Sequence, residues 1–259
     1  SGRGVIDRGR DAKEISGLSV LHPLSKRSLP VGSHVPKGVN AIEWVLDLFD
    51  ATPAPVQVIG DGFIVDQHYV FDPGTSFLRA IWDTLDLGGW CIRTNGSGAI
   101  ILSALPDEPV LVLDSSSKHI LLPGISYDFD LSDVPNKYIA IDAVGNQYEV
   151  TNDLEDSDTS TVATNGLLQE YVDTSPVPIN GEGMWGYIRR RLVEESTVTK
   201  KFSHTRKFVE DVVPFDVIQC LLPNDGMVGD YRVLSQTLTC GRGISVSETV
   251  GEEIKEYWV

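Results

Sequence analysis

Val212-Val213-Pro214-Phe215-Asp216-Val217-Ile218-Gln219-Cys220-Leu221-Leu222 leads into Pro223-Asn224-Asp225-Gly226. After Met227–Asp230 comes Tyr231-Arg232-Val233-Leu234-Ser235-Gln236-Thr237-Leu238-Thr239-Cys240. The two β-branched, apolar runs read as strands, and the Pro-Asn-Asp-Gly between them supplies turn chemistry. Ile244–Val250 is a candidate third strand. Ser196–Val209, rich in Thr, Lys and Val, reads as strand or extended chain. The end of the chain is therefore β-rich.

Working toward the N-terminus, Met184–Glu194 has a pattern that leaves its element type open, and residues 173–183 carry the prolines and glycines of a crossing segment. Residues 152–160, polar and acidic, read as an exposed loop. Short β-like runs lie at Val110–Leu113, His119–Leu122, Lys137–Ala143 and Gln147–Thr151, the last two joined by Val144-Gly145-Asn146. Trp90–Arg93 and Ala99–Ala104 flank Thr94-Asn95-Gly96-Ser97-Gly98, a hairpin signal. Two helices precede it. Residues 40–50 place Ile42, Val45, Leu46 and Phe49 on one stripe, with Asn40 and Glu43 arranged like a capping box. Residues 75–87 do the same with Leu78, Ile81, Trp82 and Leu85, between a Thr75 or Ser76 cap and Gly88-Gly89. The elements do not alternate βαβ. The class is α+β, mostly β.

The chain has 259 residues with 41% hydrophobic and 22% charged, ordinary globular usage. No apolar run is long enough for a transmembrane helix. It opens Ser1-Gly2-Arg3-Gly4 without a Met, which points to a processed or partial chain. Net charge is -16, unevenly spread: +4 over residues 1–40, -18 over 41–175 and -2 over 176–259. Such acidity disfavours sequence-reading nucleic-acid binding. It either keeps the protein soluble or lines a surface that nucleic acid passes without adhering.

Cys91, Cys220 and Cys240 are too few and too far apart for a disulfide framework or a zinc site, and read as buried thiols. Gly181-Glu182-Gly183-Met184-Trp185-Gly186 matches G-x-G-x-x-G, but prolines stand where the preceding strand should be. Asp153, Glu155, Asp156 and Asp158 lack the Gly and Glu of an EF-hand. Asp128, Asp130 and Asp133 beside Tyr127 and Phe129 would suit a glycosidase, although catalytic pairs usually come from different strands. His22, His34, His68, His119 and His204 show no zinc-hydrolase spacing, and no nucleophile or phosphate-loop motif occurs. Neither a catalytic residue, a metal ligand nor a cofactor is expected. Asn95-Gly96-Ser97 is formally a glycosylation sequon that the hairpin accounts for. Arg189-Arg190-Arg191 and Lys200, Lys201, Arg206 and Lys207 form basic clusters that favour an acidic partner surface, including a second copy.

In order along the chain, these segments resemble the tail-tip hub proteins of long-tailed bacteriophages, also called minor tail proteins or tail-associated baseplate hubs. Gly2–Asp11 resembles the entry to the family's helix-containing domain, and Val35–Phe49 its extended approach and short helix. Phe71–Trp90 is similar to its Gly-Thr-Ser, helix and Gly-aromatic stretch, and Trp90–Pro106 to the hairpin that follows. Asp133-Val134-Pro135-Asn136 resembles the Val-Pro-Asn that opens a strand pair. Thr164-Asn165 with Asp173-Thr174-Ser175-Pro176 and Gly181 resembles the segment crossing between domains. Val213–Val217 and Gly229–Gly241 resemble the start and finish of the closing barrel.

Members usually carry a further N-terminal β-domain of about 100 residues, which this sequence starts after. They also have a helix before the position of Pro214, where Ser196–Val209 reads as extended chain. The resemblance implies a helix-containing domain over 1–108, a β-rich middle domain and crossing segment over 109–178, and a C-terminal β-barrel domain over 179–259. It also implies a structural, non-enzymatic virion protein, folded in the host cytoplasm, that forms a homotrimeric ring capping the tail tube. Its implied partners are distal tail or tube proteins, the tape-measure protein and receptor-binding proteins, with opening for DNA ejection. The competing reading is a cell-wall glycosidase or a carbohydrate-binding tail module.

Overall fold

Asn40 ends an extended segment and accepts a hydrogen bond from the Ile42 N–H at 3.0 Å, satisfying one of the amides a helix start leaves bare. The computed structural model describes the chain except residues 1, 9–10, 18, 51, 115–125, 129–133, 155–156, 158, 197–200, 210–211, 223–226, 240–245 and 255–259. The expected runs at His119–Leu122 and the turn at 223–226 fall outside the described residues. The chain divides into two units, Ser1–Ala104 with Ile179–Gly181, and Leu105–Pro178 with Glu182–Val259.

The first unit contains β1 (Gly2–Arg8), β2 (Asp11–Gly17), α1 (His22–Ser25), β3 (His34–Val35) and α2 (Ala41–Phe49). It continues with β4 (Val56–Ile59), β5 (Tyr69–Val70), α3 (Phe77–Leu87), β6 (Trp90–Thr94) and β7 (Ile100–Ala104). β1 and β2 form a hairpin, β3 and β5 a short pair, and β4-β7-β6 a three-stranded sheet. In α2 the buried stripe is Ile42, Val45, Leu48 and Phe49, with Leu46 at its margin. In α3 it is Ala80, Ile81, Thr84 and Leu85, while Leu78 and Trp82 are half-buried. Ser76 caps α3 by accepting from the Arg79 N–H at 3.2 Å. Gly88 is its C-cap, and the position takes glycine because a Cβ there would lie 2.3 Å from the Phe63 ring. Between β6 and β7, Asn95 Oδ1 accepts from the N–H groups of Ser97 and Ala99, which closes the expected hairpin.

The second unit contains β8 (Pro109–Asp114), β9 (Ser126–Asp128), β10 (Lys137–Ile141), β11 (Gln147–Thr151) and β12 (Glu170–Asp173). It continues with α4 (Gly183–Ser196), β13 (Lys201–Lys207), β14 (Val217–Leu222), β15 (Met227–Thr239) and β16 (Val246–Ile254). Its small sheet runs β11-β10-β12 and its large one β8-β14-β15-β16-β13-β9. The mixed, mostly β class therefore holds. The six-strand order has two ends, so the large sheet is not a closed barrel among the described residues. β8 runs parallel to β14, so the stretches 109–178 and 179–259 build one sheet together.

One open point is settled here and one local reading is corrected. Residues 184–194 are helical, within α4. The 152–160 segment is not simply an exposed loop: Asn152, Ser157, Thr159 and Ser160 are buried. Asn152 Nδ2 donates to Ser157 Oγ at 2.8 Å, and the Thr159 hydroxyl donates to the Ser196 carbonyl at 3.1 Å. These short polar side chains satisfy one another inward.

Candidate functional site

Alternation along the strands of the large sheet gives it two unlike faces. Leu113, Ile218, Cys220, Leu222, Tyr231 and Val233 share a buried cluster with Val212. The opposite face carries Val110 and Val112 of β8, Leu221 of β14 and Val228 of β15, exposed by 51%, 46%, 42% and 57%. Register pairs Leu221 with Val228 and sets Gln219 beside Val112. Gln219 Nε2 donates to Asp230 Oδ1 at 3.1 Å. Arg232 on the same face donates to the carbonyls of Pro106 at 3.1 Å and Phe215 at 3.4 Å, tying the sheet to the segments that enter it. On this face Leu221 and Val228 pair beside Asp114, the Gln219–Asp230 pair separates them from Val110 and Val112, and β8 is an end strand of the sheet. Strand edges of this kind are paired or covered in stable proteins.

The buried thiols agree with expectation where described: Cys91 and Cys220 are free and buried, and burial pushes the Cys220 thiol up to about 12. Cys240 lies outside the described residues. His204 and Arg206 alternate on β13 and are both buried. Burial, and secondarily the Arg206 charge, lower the His204 imidazole to about 4, and burial also lowers the guanidinium of Arg206.

Of the first basic cluster, Arg189 is exposed, and Arg190 and Arg191 are paired with acids. Arg190 reaches Glu182 at 2.9 Å and Glu194 at 3.1 Å, and Arg191 reaches Glu194 at 2.7 Å and Glu195 at 2.6 Å. Helical spacing of three and four brings these acids back onto the arginines. In the second cluster Arg206 is buried, Lys200 lies outside the described residues, and the side chain of Lys201 is likewise outside them.

Under α4 lies a polar knot. Asp173 Oδ2 accepts from the Tyr138 hydroxyl at 3.1 Å and the Tyr187 hydroxyl at 2.5 Å. Burial pushes the Tyr138 phenol up to about 12 and raises that of Tyr187 further. Tyr138 also stacks on Tyr171, with ring centroids 5.1 Å apart. Gly181 to Gly186 holds no strand-loop-helix cradle. Instead Glu182 pairs with Arg190, and Gly186 gives Glu182 room, since a Cβ there would come within 2.9 Å of the Glu182 Cβ.

Asp128 lies on β9 opposite Lys201 in register, with its side chain outside the described residues, as are Asp130, Asp133, Glu155, Asp156 and Asp158. Among the described residues no three His, Cys, Asp or Glu side chains gather as a metal site. No helix among them is long and apolar enough to cross a membrane. His34 and His68 meet edge to face, and the former lines an open groove of about 390 Å³ with Trp44, Leu48 and Phe77. Of the described acids in 41–175, Glu43, Asp47, Asp50, Asp61, Asp72, Asp86, Asp107, Glu108, Glu149, Asp153 and Glu170 are exposed.

No family model matches the chain, and no curated protein matches it in sequence. Solved structures do match its fold. The tail protein from Neisseria meningitidis MC58 is 13% identical and superposes with a TM-score of 0.67, covering 97% of this chain and 78% of its own. The 43 kDa tail protein of prophage MuSo2 from Shewanella oneidensis is 11% identical at a TM-score of 0.66, over 96% and 77% of the two chains. The prophage tail protein gp18 from Listeria monocytogenes EGD-e is 13% identical at a TM-score of 0.58, over 98% and 77%. At such identities the likeness is one of fold, and it runs through almost the whole chain.

Proposed function

We propose that this chain is a structural protein of a bacteriophage tail tip, a hub subunit that forms a homotrimeric ring at the end of the tail tube. The observation that carries the reading is the near full-length fold shared with three tail proteins, two of them from prophages, at TM-scores of 0.58 to 0.67. The sheet face that exposes Val110, Val112, Leu221 and Val228 and ends at β8 supplies the surface that a neighbouring subunit or tube protein covers. In this reading the ring joins the tube or distal tail protein to the tape-measure protein and to receptor-binding proteins. It assembles in the host cytoplasm and opens when DNA leaves.

The acidic stretch 41–175 supports a lumen to which DNA does not adhere, because like charge repels the duplex. Part of its carboxylates face the axis and part face outward, where they keep the assembly soluble. The domain division carries over with one adjustment: the middle and C-terminal stretches act through the sheet they share. The function is structural, without catalysis.

Native mass spectrometry of the purified chain tests the ring. The expected species has three times the 28.4 kDa chain mass, and it falls apart when Val112 and Val228 are both replaced by Asp. A monomer at all concentrations contradicts the ring. Turnover of peptidoglycan would overturn the structural reading itself.

A further inference from the structure

β12 is the end strand of the small sheet, and its outer edge faces no other described strand. The Lys137 N–H donates to the Gln169 carbonyl at 3.1 Å, and the parallel register sets Lys137 against Glu170 and Ile139 against Val172. In a parallel ladder this alternation turns the backbone groups of Gln169, Tyr171 and Asp173 toward β10. Those of Glu170 and Val172 point outward. Leu167, Leu168 and Val172 are exposed by 61%, 49% and 52% along the same segment.

Edges that must stay unpaired are commonly guarded by Lys, Pro or a bulge. Leu167–Asp173 contains none of these residues, and the charge of Glu170 is tied to Lys137 at 3.0 Å. The edge is also held stiffly. Asp173 anchors one end through the Tyr138 and Tyr187 hydroxyls, Tyr171 stacks on Tyr138, and Asn136 Oδ1 accepts from the Gln169 N–H at 2.9 Å. A stiff edge has little order left to gain on pairing, which favours strand addition.

We propose that β12 is a docking strand for an extended, basic segment of another protein, which adds to the small sheet beside Glu170 and Val172. Charge selects this occupant. Lys137 is shared between Glu149 and Glu170, leaving carboxylate in excess at the edge, and the stretch 41–175 carries -18. A second copy pairing here would bring like charges together, whereas alternating apolar and Lys or Arg side chains set the cations on the Glu170 face and the apolar groups on the face of Leu167 and Tyr171, both exposed. The proposal goes beyond the tail-tip reading and does not depend on it.

The test follows amide exchange at Glu170 and Val172 in the full isotope-labelled chain by NMR. The probes are a short synthetic peptide of alternating valine and lysine and its glutamate counterpart. The lysine peptide is expected to slow exchange at both amides about tenfold, and the glutamate peptide to leave them unchanged. Val172→Pro removes an outward N–H that β10 does not use, so it should fold and lose about tenfold in affinity. Val172→Lys, which keeps the amide and adds a repelling charge, gives the same loss and serves should the proline variant not fold. Absence of protection, equal protection by both peptides, or protection that grows with the protein's own concentration would each overturn the proposal.

Discussion

The two sheets of the second unit are stabilised by different chemistry. The large one has an apolar core of Leu113, Ile218, Cys220, Leu222, Tyr231 and Val233. The small one is joined to its flanking segments by buried polar groups. Fully buried Asn136 bonds the Thr164 hydroxyl, the Leu167 carbonyl and the Gln169 amide at once. Apolar packing is non-directional and tolerates a near-sized replacement. A satisfied polar network is directional, and removing one member leaves several buried partners bare. Volume governs the first region, and hydrogen-bond geometry the second.

The largest effect should come from Asn136→Ala. Loss of its side-chain bonds should lower stability by about 3–4 kcal/mol, read from the denaturant midpoint. A loss under about 1 kcal/mol would break the contrast.

The next test concerns His204, a polar residue buried in the large sheet. Its imidazole lies at about 4 when folded against the ordinary 6.5, so the unfolded chain binds more protons between those values. Stability is full above about pH 6.5 and falls as pH drops toward 4, by up to about 3 kcal/mol. Urea midpoints of the protein and of His204→Gln across this range should diverge below pH 6.5, the variant losing this component of the dependence. Parallel curves would remove His204 as the cause. The smallest effect should come from Ile218→Val, at about 1 kcal/mol by the same midpoint measurement. A cost equal to that of Asn136→Ala would erase the difference between the regions.

The same contrast explains what was legible in the sequence. α2, α3 and the β6–β7 hairpin are local, and Asn40, Ser76 and Asn95 announce them by chemistry that acts within a few residues. Parallel pairings such as β8 with β14 link residues about 100 positions apart, for which strand pattern carries no address. α4 escaped because Gly183, Gly186 and three consecutive arginines blur its apolar stripe. The 152–160 segment misled because composition reads Asn, Ser and Thr as solvated, whereas here they bond inward. The arginine cluster was visible, but not that Glu182, Glu194 and Glu195 pair with Arg190 and Arg191 while Arg189 stays exposed. Of the candidate assembly surface, the β8 and β14 runs were visible, but not that they lie side by side.

The most direct test of the proposed tail-tip role is a cryo-EM map of tail particles that contain this chain. Three copies around the axis at the end of the tube are expected, with the Val110, Val112, Leu221 and Val228 face covered and part of the 41–175 carboxylates turned to the lumen. Particles lacking the chain at that position, or holding it as a single copy with that face in solvent, would contradict it.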